Sequence, residues 1–309
     1  MRPVFEVRRA SAAASIQDLG RPAAQALGFG PSGAMDPFAL RAANLLAGNA
    51  RGAAALESGG GGLVLRALEE RVVALCGAGA AWSSRRVRAG EELLVGGATS
   101  GVWTYVAVDG GFAADVFLGS AATDARAGRG GFGGRRLSAG DVLQAHDPRG
   151  AREGRSLSRA VVPAYPPSSI VRVVPGPRDD LFTDEGMSSF FAEPYEVSGR
   201  SDRMGYHLRG PSIAFRGEAD VPSEAVAFGS VQVPAGGQPI VLLADRQATG
   251  GYAQIATVIS VDVPKVAQTR PGGTLRFRAV GVDEAQDAAV RLERLLSTVE
   301  EGCFPKITR

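Results

Sequence analysis

Short apolar runs separated by glycine dominate the chain between Leu56 and Ala145. This pattern constrains the fold more than any other feature of the sequence. The runs are Leu63–Leu65, Val72–Cys76, Leu93–Val95, Val102–Val108 and Val142–Leu143. Each has the length of a strand and is too short for a helix, and β-branched residues favour strands. This half of the chain is therefore predicted to be all-β.

One turn pattern occurs three times along the sequence. A small residue or proline is followed by glycine, two further residues and an apolar run, at Arg88–Leu93, Ser138–Leu143 and Arg270–Leu275. We interpret the three as equivalent turns into strands of two similar barrels, although such short matches do not establish a duplication. Residues 147–168 are charged and then proline-rich, which indicates a linker. We predict two domains, residues 1–160 and 168–309, the usual size for a domain.

Three helices are predicted by their end signals and periodicity. Asp36 as N-cap, Pro37 in the first turn and Gly48 beyond the end predict a helix over Phe38–Ala47. Further helices are expected over Thr183–Ala192 and Asp283–Val299. The loop GFGPSGAM before the first helix would face its positive end, where a carbonyl oxygen or carboxylate can bind. The alternative, a helix that only closes a barrel, is favoured by the residue types.

Charge and motifs exclude several function classes. The chain has 34 basic and 32 acidic residues and no basic block, so we expect no nucleic-acid partner. It has no uninterrupted apolar run of about 20 residues, so no membrane span is predicted. Two histidines without metal-ligand spacing predict no metal site. No P-loop or G-x-S-x-G motif occurs, and Gly128–Gly133 matches G-x-G-x-x-G outside any strand–helix context, which favours a loop.

The cysteine content indicates a reducing compartment. Only Cys76 and Cys303 occur, and a disulfide between them is left open. The N-terminus lacks the charged-then-apolar pattern of a signal peptide. We therefore expect a cytoplasmic protein.

The first candidate site is a polar junction between two apolar runs. Asp245–Tyr252 (DRQATGGY) lies between Ile240–Ala244 and Ile255–Val261. Buried strands would hold it in place, its glycines would let backbone approach a ligand, and Gln232 and Gln247 can donate and accept hydrogen bonds. A long β-hairpin with a solvated tip explains the same residues, and the two interpretations remain open.

Two more polar corners are candidates. Ser198–Tyr206 concentrates Arg200, Arg203, Asp202 and Ser201, and arginine forks suit a carboxylate or a bicarbonate-like oxyanion. A surface ion pair of little energetic value is the alternative. The third corner is Ser223-Glu224, in which Glu224 is either a base or part of a solvated turn.

Five blocks of sequence carry a family resemblance. They are SIQDLGRP (15–22), GPSGAMDPFALRAANLLAGN (30–49), LGSAATDARAGRGGFGGRRLSAGD (118–141), RSDRMGYHLRG (200–210) and SVQVPAGGQPIVLLADRQATGGYAQIATVIS (230–260). In this order they resemble allophanate hydrolase subunit 2, the KipA-type or biotin-dependent carboxyltransferase family. The resemblance implies a mainly β fold of two cyclophilin-like β-barrel domains with a few short helices. It also implies a partner, the KipI-type homologue of allophanate hydrolase subunit 1.

Three activities are known in families that this chain resembles. One is a subunit of ATP-dependent 5-oxoprolinase, which opens 5-oxo-L-proline to L-glutamate. The second is the carboxyltransferase part of urea carboxylase, which uses carboxybiotin, and the third is a non-catalytic regulator that binds a kinase inhibitor. The chain has no biotin-carrier segment, so our first expectation is the oxoprolinase subunit, active in a complex that uses ATP and includes a LamB/YcsF-type subunit. The chain has no nucleotide motif of its own, and carboxybiotin is the expected cofactor only under the second activity.

Both catalytic activities must make an unreactive amide react, which assigns roles to particular residues. Asp245 would accept a hydrogen bond from the substrate N–H, Arg203 would stabilise developing negative charge, and Glu224 is the candidate base. Gln232 and Gln247 would bracket the planar amide or lactam. The other predicted substrate contacts are Gly250, Gly251, Tyr252, Ser201, Asp202, Tyr206, Ser32 and Met35.

Overall fold

Strands dominate the structure, a computed structural model that describes residues 1–97, 100–217 and 219–302. The chain divides into two units. Unit 1 comprises Met1–Arg21, Ser32–Ala164 and the residues from Arg294 onward. Unit 2 comprises Pro22–Pro31 and Tyr165–Glu293. The prediction of a mainly β fold with few helices is confirmed, and the short segment Pro22–Pro31 interrupts unit 1 in sequence.

The described strands of unit 1 form two antiparallel sheets. They are β1 (Arg2–Arg9), β2 (Ser15–Gln17), β3 (Ala55–Gly59), β4 (Leu63–Ala67), β5 (Arg71–Gly77), β6 (Ser83–Val87), β7 (Glu92–Val95), β8 (Trp103–Val108) and β9 (Val142–Ala145). The strand orders are β7-β4-β1-β9 and β2-β3-β8-β5-β6. Side chains from both sheets, including Phe5, Leu65, Leu56 and Val106, are buried together in one core.

Helix α1 (Pro37–Leu46) begins at the predicted cap. The Asp36 carboxylate accepts a hydrogen bond from Ala39 N at 3.0 Å. The buried face of helix α1 packs against β5 and β8. The predicted linker is largely part of unit 1, because Ser84 Oγ accepts from Arg155 N and Leu157 N donates to Trp82 O.

Unit 2 is built around a closed barrel. Its strands are β10 (Ser168–Pro175), β11 (Tyr195–Val197), β12 (Gly205–Arg209), β13 (Asp220–Ala225), β14 (Ser230–Val233), β15 (Ile240–Leu242), β16 (Thr249–Val258) and β17 (Thr274–Ala279). Their order is β10-β17-β11-β12-β15-β14-β16-β13, and an additional pairing of β10 with β16 closes the ring. Strand β13 pairs with β16 outside that ring.

The hairpin interpretation of the Asp245–Tyr252 junction is wrong. Strands β15 and β16 do not pair with each other, because β14 lies between them and pairs with both. Strand β16 also begins earlier than predicted, at Thr249, so Gly250, Gly251 and Tyr252 are strand residues. The junction is therefore a connection across β14, and its glycines lie in the barrel wall.

The recurring turn pattern forms the same structure three times. Its glycines, Gly90, Gly140 and Gly272, have positive φ angles of 85°, 90° and 85°, which glycine adopts without strain. Each donates its N–H to the strand that pairs with the next one, and the acceptors are Ala67 O, Val7 O and Val197 O at 2.8, 2.8 and 2.9 Å. The turns lead into β7, β9 and β17. The sequence pattern therefore marks one kind of strand entry that both units use.

The remaining helices are α2 (Asp184–Ala192), α3 (Val263–Gln268) and α4 (Val282–Glu300), and single 3-10 turns occur at Pro22–Leu27 and Asp179–Leu181. Two of these helices, α2 and α4, lie near their predicted positions, and α3 was not predicted. Phe190 of α2 stacks on Phe277 of β17 with ring centroids 4.5 Å apart. Among the residues described, no helix has both the length and the apolar character needed to cross a membrane. Cys76 is buried in β5, and Cys303 lies outside the described residues.

A buried ion pair joins β10 to the start of α3. The Arg172 guanidinium donates to both Asp262 oxygens at 2.9 and 2.8 Å, and Arg172 N donates to the same carboxylate. Burial alone would raise the pKa of Asp262, but hydrogen bonds from Arg172 and Lys265 outweigh it and hold the pKa below its ordinary value of 3.8. The pair therefore stabilises the folded state while Asp262 is ionised.

The Arg172–Asp262 pair should make unfolding depend on pH in a defined direction. A folded-state pKa below 3.8 means that this stabilisation is present above that pH and is lost as the pH falls through the lowered value. Asp262→Asn should lower the free energy of unfolding at neutral pH by about 3 kcal/mol and flatten its acid dependence. Urea unfolding between about pH 2 and pH 7 measures both effects. Asp184→Asn, which alters a pair whose carboxylate is 89% exposed, should leave the acid slope unchanged, and an unchanged slope in Asp262→Asn would contradict the assignment.

Candidate functional site

Two residues 42 positions apart form the charged centre of the candidate site in unit 2. Beyond the paired ends of β12 and β15 the ladder continues, because Leu243 N donates to Met204 O and Asp245 N to Arg203 O at 2.9 and 2.8 Å. This brings the side chains together, and Arg203 Nε and Nη2 donate to Asp245 Oδ2 and Oδ1 at 2.8 and 3.0 Å. The Arg203 side chain is 7% exposed and that of Asp245 is 21% exposed. The bidentate pair fixes the carboxylate orientation and leaves it accessible.

Two glutamine amides meet the backbone at Gly250. A Cβ at this glycine would lie 2.7 Å from Gln232 Nε2 and 3.2 Å from Gln247 Nε2. Gln232 is buried and donates to Tyr252 O at 3.2 Å. The Gln247 amide has no hydrogen-bond partner within the described part of the chain, so it can bind a ligand. Sequence reasoning paired these glutamines, and the structure places both against one glycine.

The Ser223-Glu224 corner reaches the same part of the barrel through β13. Glu224 is the register partner of Gly250, and a Cβ at Gly251 would lie 3.5 Å from Ser223 Oγ. Glu224 is exposed and its carboxylate pairs with Arg178 at 3.2 Å. The 245–252 and 223–224 segments therefore share one side of unit 2. Glu224 stands in an exposed ion pair, where its carboxylate is solvated.

Several predicted substrate contacts are engaged in structural hydrogen bonds. Tyr206 is buried, and its hydroxyl donates to Ala267 O at 2.7 Å, which leaves no open face for a substrate. Ser201 Oγ accepts from His207 N at 3.1 Å, and Asp202 Oδ1 accepts from Met204 N at 2.8 Å. Ser201 and Asp202 hold the β11–β12 turn in shape, and Tyr206 joins β12 to α3.

Ser32 and Met35 belong to unit 1, where the GPSGAM loop is held by buried polar groups. Met35 N donates to Glu57 Oε2 at 2.9 Å and Asp36 N to the Tyr105 hydroxyl at 2.8 Å. Tyr105 in turn donates to Glu57 at 2.7 Å, and its pKa is raised by burial and by the Glu57 charge. Ser32 has a φ of 51° and is buried. Because these N–H groups have partners inside the protein, the loop is a structural element, as the residue types favoured.

Arg246 is the residue that sequence reasoning missed. It is 6% exposed, and its guanidinium donates to Val226 O, Leu243 O and Gln25 Oε1 at 3.1, 3.4 and 3.4 Å. No carboxylate pairs with it among residues whose positions are described, and burial lowers its pKa to about 10. It therefore stays charged at neutral pH and places a positive charge next to Asp245. In the sequence, the one indication that Arg246 belongs to the site is its position between the predicted site residues Asp245 and Gln247.

Gln25 anchors Pro22–Pro31 to unit 2. Its amide nitrogen donates to Val226 O and Ala248 O at 2.8 and 2.9 Å. Ala248 lies in the junction that carries Asp245 and Gln247. The short segment therefore helps to hold the junction in place.

Comparison with known proteins identifies the family of the chain. The sequence profile of the carboxyltransferase domain, subdomains A and B, matches residues 27–279, so the chain belongs to the carboxyltransferase domain family. The chain is 38% identical over 282 residues to the 5-oxoprolinase C subunit of Haemophilus influenzae, covering 88% of this chain and 90% of that protein. It is 35% identical over 295 residues to the 5-oxoprolinase C subunit of Escherichia coli, covering 92% and 94%. The resemblance inferred from the sequence is confirmed.

A solved structure has the same fold. The crystal structure of the K. lactis urea amidolyase superposes with a TM-score of 0.91 at 28% identity and covers 100% of this chain. The match covers 20% of the amidolyase chain, so the present chain corresponds to one part of that longer amidolyase.

Proposed function

We propose that this chain is a subunit of an ATP-dependent 5-oxoprolinase and helps to open 5-oxo-L-proline to L-glutamate. The support is its similarity to two proteins named as the C subunit of 5-oxoprolinase, over most of both chains. That name implies a complex of several subunits, and the proposed partners are a KipI-type subunit and a LamB/YcsF-type subunit. ATP is consumed by the assembled complex.

The observation that carries a chemical role is the fixed Asp245 carboxylate. Arg203 holds it through two hydrogen bonds, so Arg203 acts as a positioning residue rather than as a direct contact to the substrate. A lactam presents one N–H donor and one carbonyl acceptor in a plane. Asp245 accepts the N–H, and the amides of Gln232 and Gln247, which pack against Gly250, bracket the ring. Water then adds to the carbonyl carbon, the C–N bond breaks, and the nitrogen takes up a proton to become the amino group of glutamate.

A second candidate is biotin-dependent carboxyl transfer to urea, favoured by the likeness to the urea amidolyase structure. Urea also presents a planar N–C=O group, which fits the same carboxylate and amides. Carboxybiotin would supply the carboxyl group, and Gln232 and Gln247 would orient its ring.

Activity of the reconstituted complex separates the two candidates. We expect the chain, purified with KipI-type and LamB/YcsF-type partners, to convert 5-oxoproline to glutamate when ATP is added, with ATP hydrolysed in proportion. A parallel reaction with urea, bicarbonate, ATP and a biotinylated carboxylase should yield no allophanate. A folded complex that makes no glutamate would reject the first candidate, and allophanate formation would establish the second.

A further inference from the structure

A cavity of unit 2 adjoins the amide site described above and shares Tyr252 with it. It has a volume of about 470 Å³, and its polar lining comes from Ser198, Arg200, His207, Arg209, Gln238 and Tyr252. Neither Asp245 nor Arg203 lines it. The proposed function leaves this cavity without a role.

Strand β12 and the turn before it build the cavity wall. His207 and Arg209 are two residues apart on a strand, so their side chains project to the same side. The turn folds back on the strand because Ser198 N donates to His207 O and Ser201 Oγ accepts from His207 N. This brings Arg200 close enough to His207 for its charge to act on the imidazole. Gln238 closes the far end by accepting from Gly210 N and donating to Gly210 O.

The arginines of this cavity form no ion pair with any residue that the structure describes. Neither the Arg200 nor the Arg209 guanidinium has a hydrogen bond or ion pair within the described ranges, and no acidic residue lines the cavity. Asp202, the acidic residue nearest in sequence, is tied to its own turn through Met204 N. Glu196 is the register partner of Arg209 across β11 but forms no ion pair with it. Two guanidinium groups and an imidazole therefore face one space without a carboxylate.

We propose that this cavity binds a phosphate group, either as free phosphate or as part of a nucleotide. Planar guanidinium groups match the oxygen geometry of phosphate and bind it through paired, charge-assisted hydrogen bonds. The imidazole of His207 adds a third donor when protonated. Tyr252 is 44% exposed at the cavity edge and offers an aromatic face to a base. This inference concerns binding alone and does not depend on the proposed 5-oxoprolinase function.

His207 provides a direct reporter of such binding. Its pKa lies below the ordinary 6.5 because of burial first and the Arg200 charge second, while Asp202 acts in the opposite direction. A bound phosphate dianion would favour the imidazolium and raise the pKa of His207. The chain contains only two histidines, and the other, His146, is exposed in unit 1. It serves as an internal reference.

The test is a histidine NMR titration of the full-length protein at constant ionic strength. Inorganic phosphate, pyrophosphate and ATP are added separately while the His207 and His146 ring signals are followed across pH. We expect a saturable shift and a raised pKa at His207, with no change at His146. Saturation by inorganic phosphate identifies a phosphate site, whereas at least tenfold tighter binding of ATP identifies a nucleotide as its source.

Matched variants assign the effect to the cavity. Arg200→Gln with Arg209→Gln should weaken binding at least about tenfold. Arg66→Gln, an exposed strand arginine of unit 1 without a described side-chain partner, should bind as the unchanged protein does. In the absence of anion, Arg200→Gln alone should raise the pKa of His207, which tests the geometry separately. The proposal is overturned if no anion shifts His207, if His146 shifts equally, or if the double variant binds as tightly as the Arg66 control.

Discussion

Replacing Asp245 by asparagine should lower glutamate formation by the assembled complex at least about a hundredfold. Asparagine preserves the shape of the side chain but removes the negative charge that accepts the lactam N–H. In the structure both carboxylate oxygens also accept from Arg203. The variant therefore tests the charge and its orientation together. Steady-state turnover of the reconstituted complex is the measurement, with saturating ATP and 5-oxoproline.

Stability must be measured alongside activity, because Asp245 also neutralises a buried arginine. Asp245→Ala would leave Arg203 without this partner in a position where its side chain is 7% exposed, at a cost of about 3 kcal/mol. Alanine would therefore combine a loss of stability with a loss of turnover, and asparagine, which keeps one oxygen acceptor for Arg203, is the better probe. Asp184→Asn alters an exposed arginine–aspartate pair in the same unit and should change neither turnover nor unfolding appreciably. A folded Asp245→Asn complex with full turnover would contradict the assigned role.

Gly250→Ala should reduce turnover by about a hundredfold while leaving the protein folded. The new Cβ would lie 2.7 Å from Gln232 Nε2 and 3.2 Å from Gln247 Nε2, so both amides must move. These atoms are the ends of flexible side chains and can shift at small cost to the fold. Their displacement removes the bracket that orients the planar substrate, and misplacement by about 1 Å carries a penalty of this size.

The control for Gly250→Ala is another glycine of unit 2. Gly236 has no atom within 4 Å of an added Cβ, so Gly236→Ala adds the same methyl group without displacing a neighbour. We expect turnover of this variant to match the unchanged complex and both variants to unfold at similar urea concentrations. Equal turnover of Gly250→Ala and Gly236→Ala would mean that the glutamine amides do not orient the substrate.

Local signals in the sequence were sufficient for α1, α2, α4 and the recurring turns, but not for α3. Asp36 and Thr183 both cap their helices through side-chain oxygens, and capping depends on residues within one turn. The glycine of the turn pattern was informative for the same reason, since its positive φ is a local requirement. The resemblance to a family assigned Arg203 and Asp245 separate roles in one site, whereas the ion pair between them was not predicted.

Features that depend on contacts between residues distant in sequence could not be predicted from local sequence patterns. The insertion of β14 between β15 and β16 depends on which strands pair, and adjacent apolar runs predict a hairpin equally well. Tyr206 was predicted to contact substrate because its neighbours are polar, but its hydroxyl is turned inward to Ala267 O. Arg246 was missed because an arginine in a polar loop is usually exposed, whereas here carbonyl groups surround it.

The segment Pro22–Pro31 makes unit 2 discontinuous along the gene. A fragment that starts at Tyr165 would encode all strands of the 8-stranded sheet yet would omit Gln25. The carbonyls of Val226 and Ala248 would lose their amide donor, and the Arg246 guanidinium would lose an acceptor. A fragment truncated at Tyr165 should therefore form a barrel whose junction around Val226 and Ala248 is less ordered. Adding a peptide of residues 22–31 should restore these hydrogen bonds by fragment complementation.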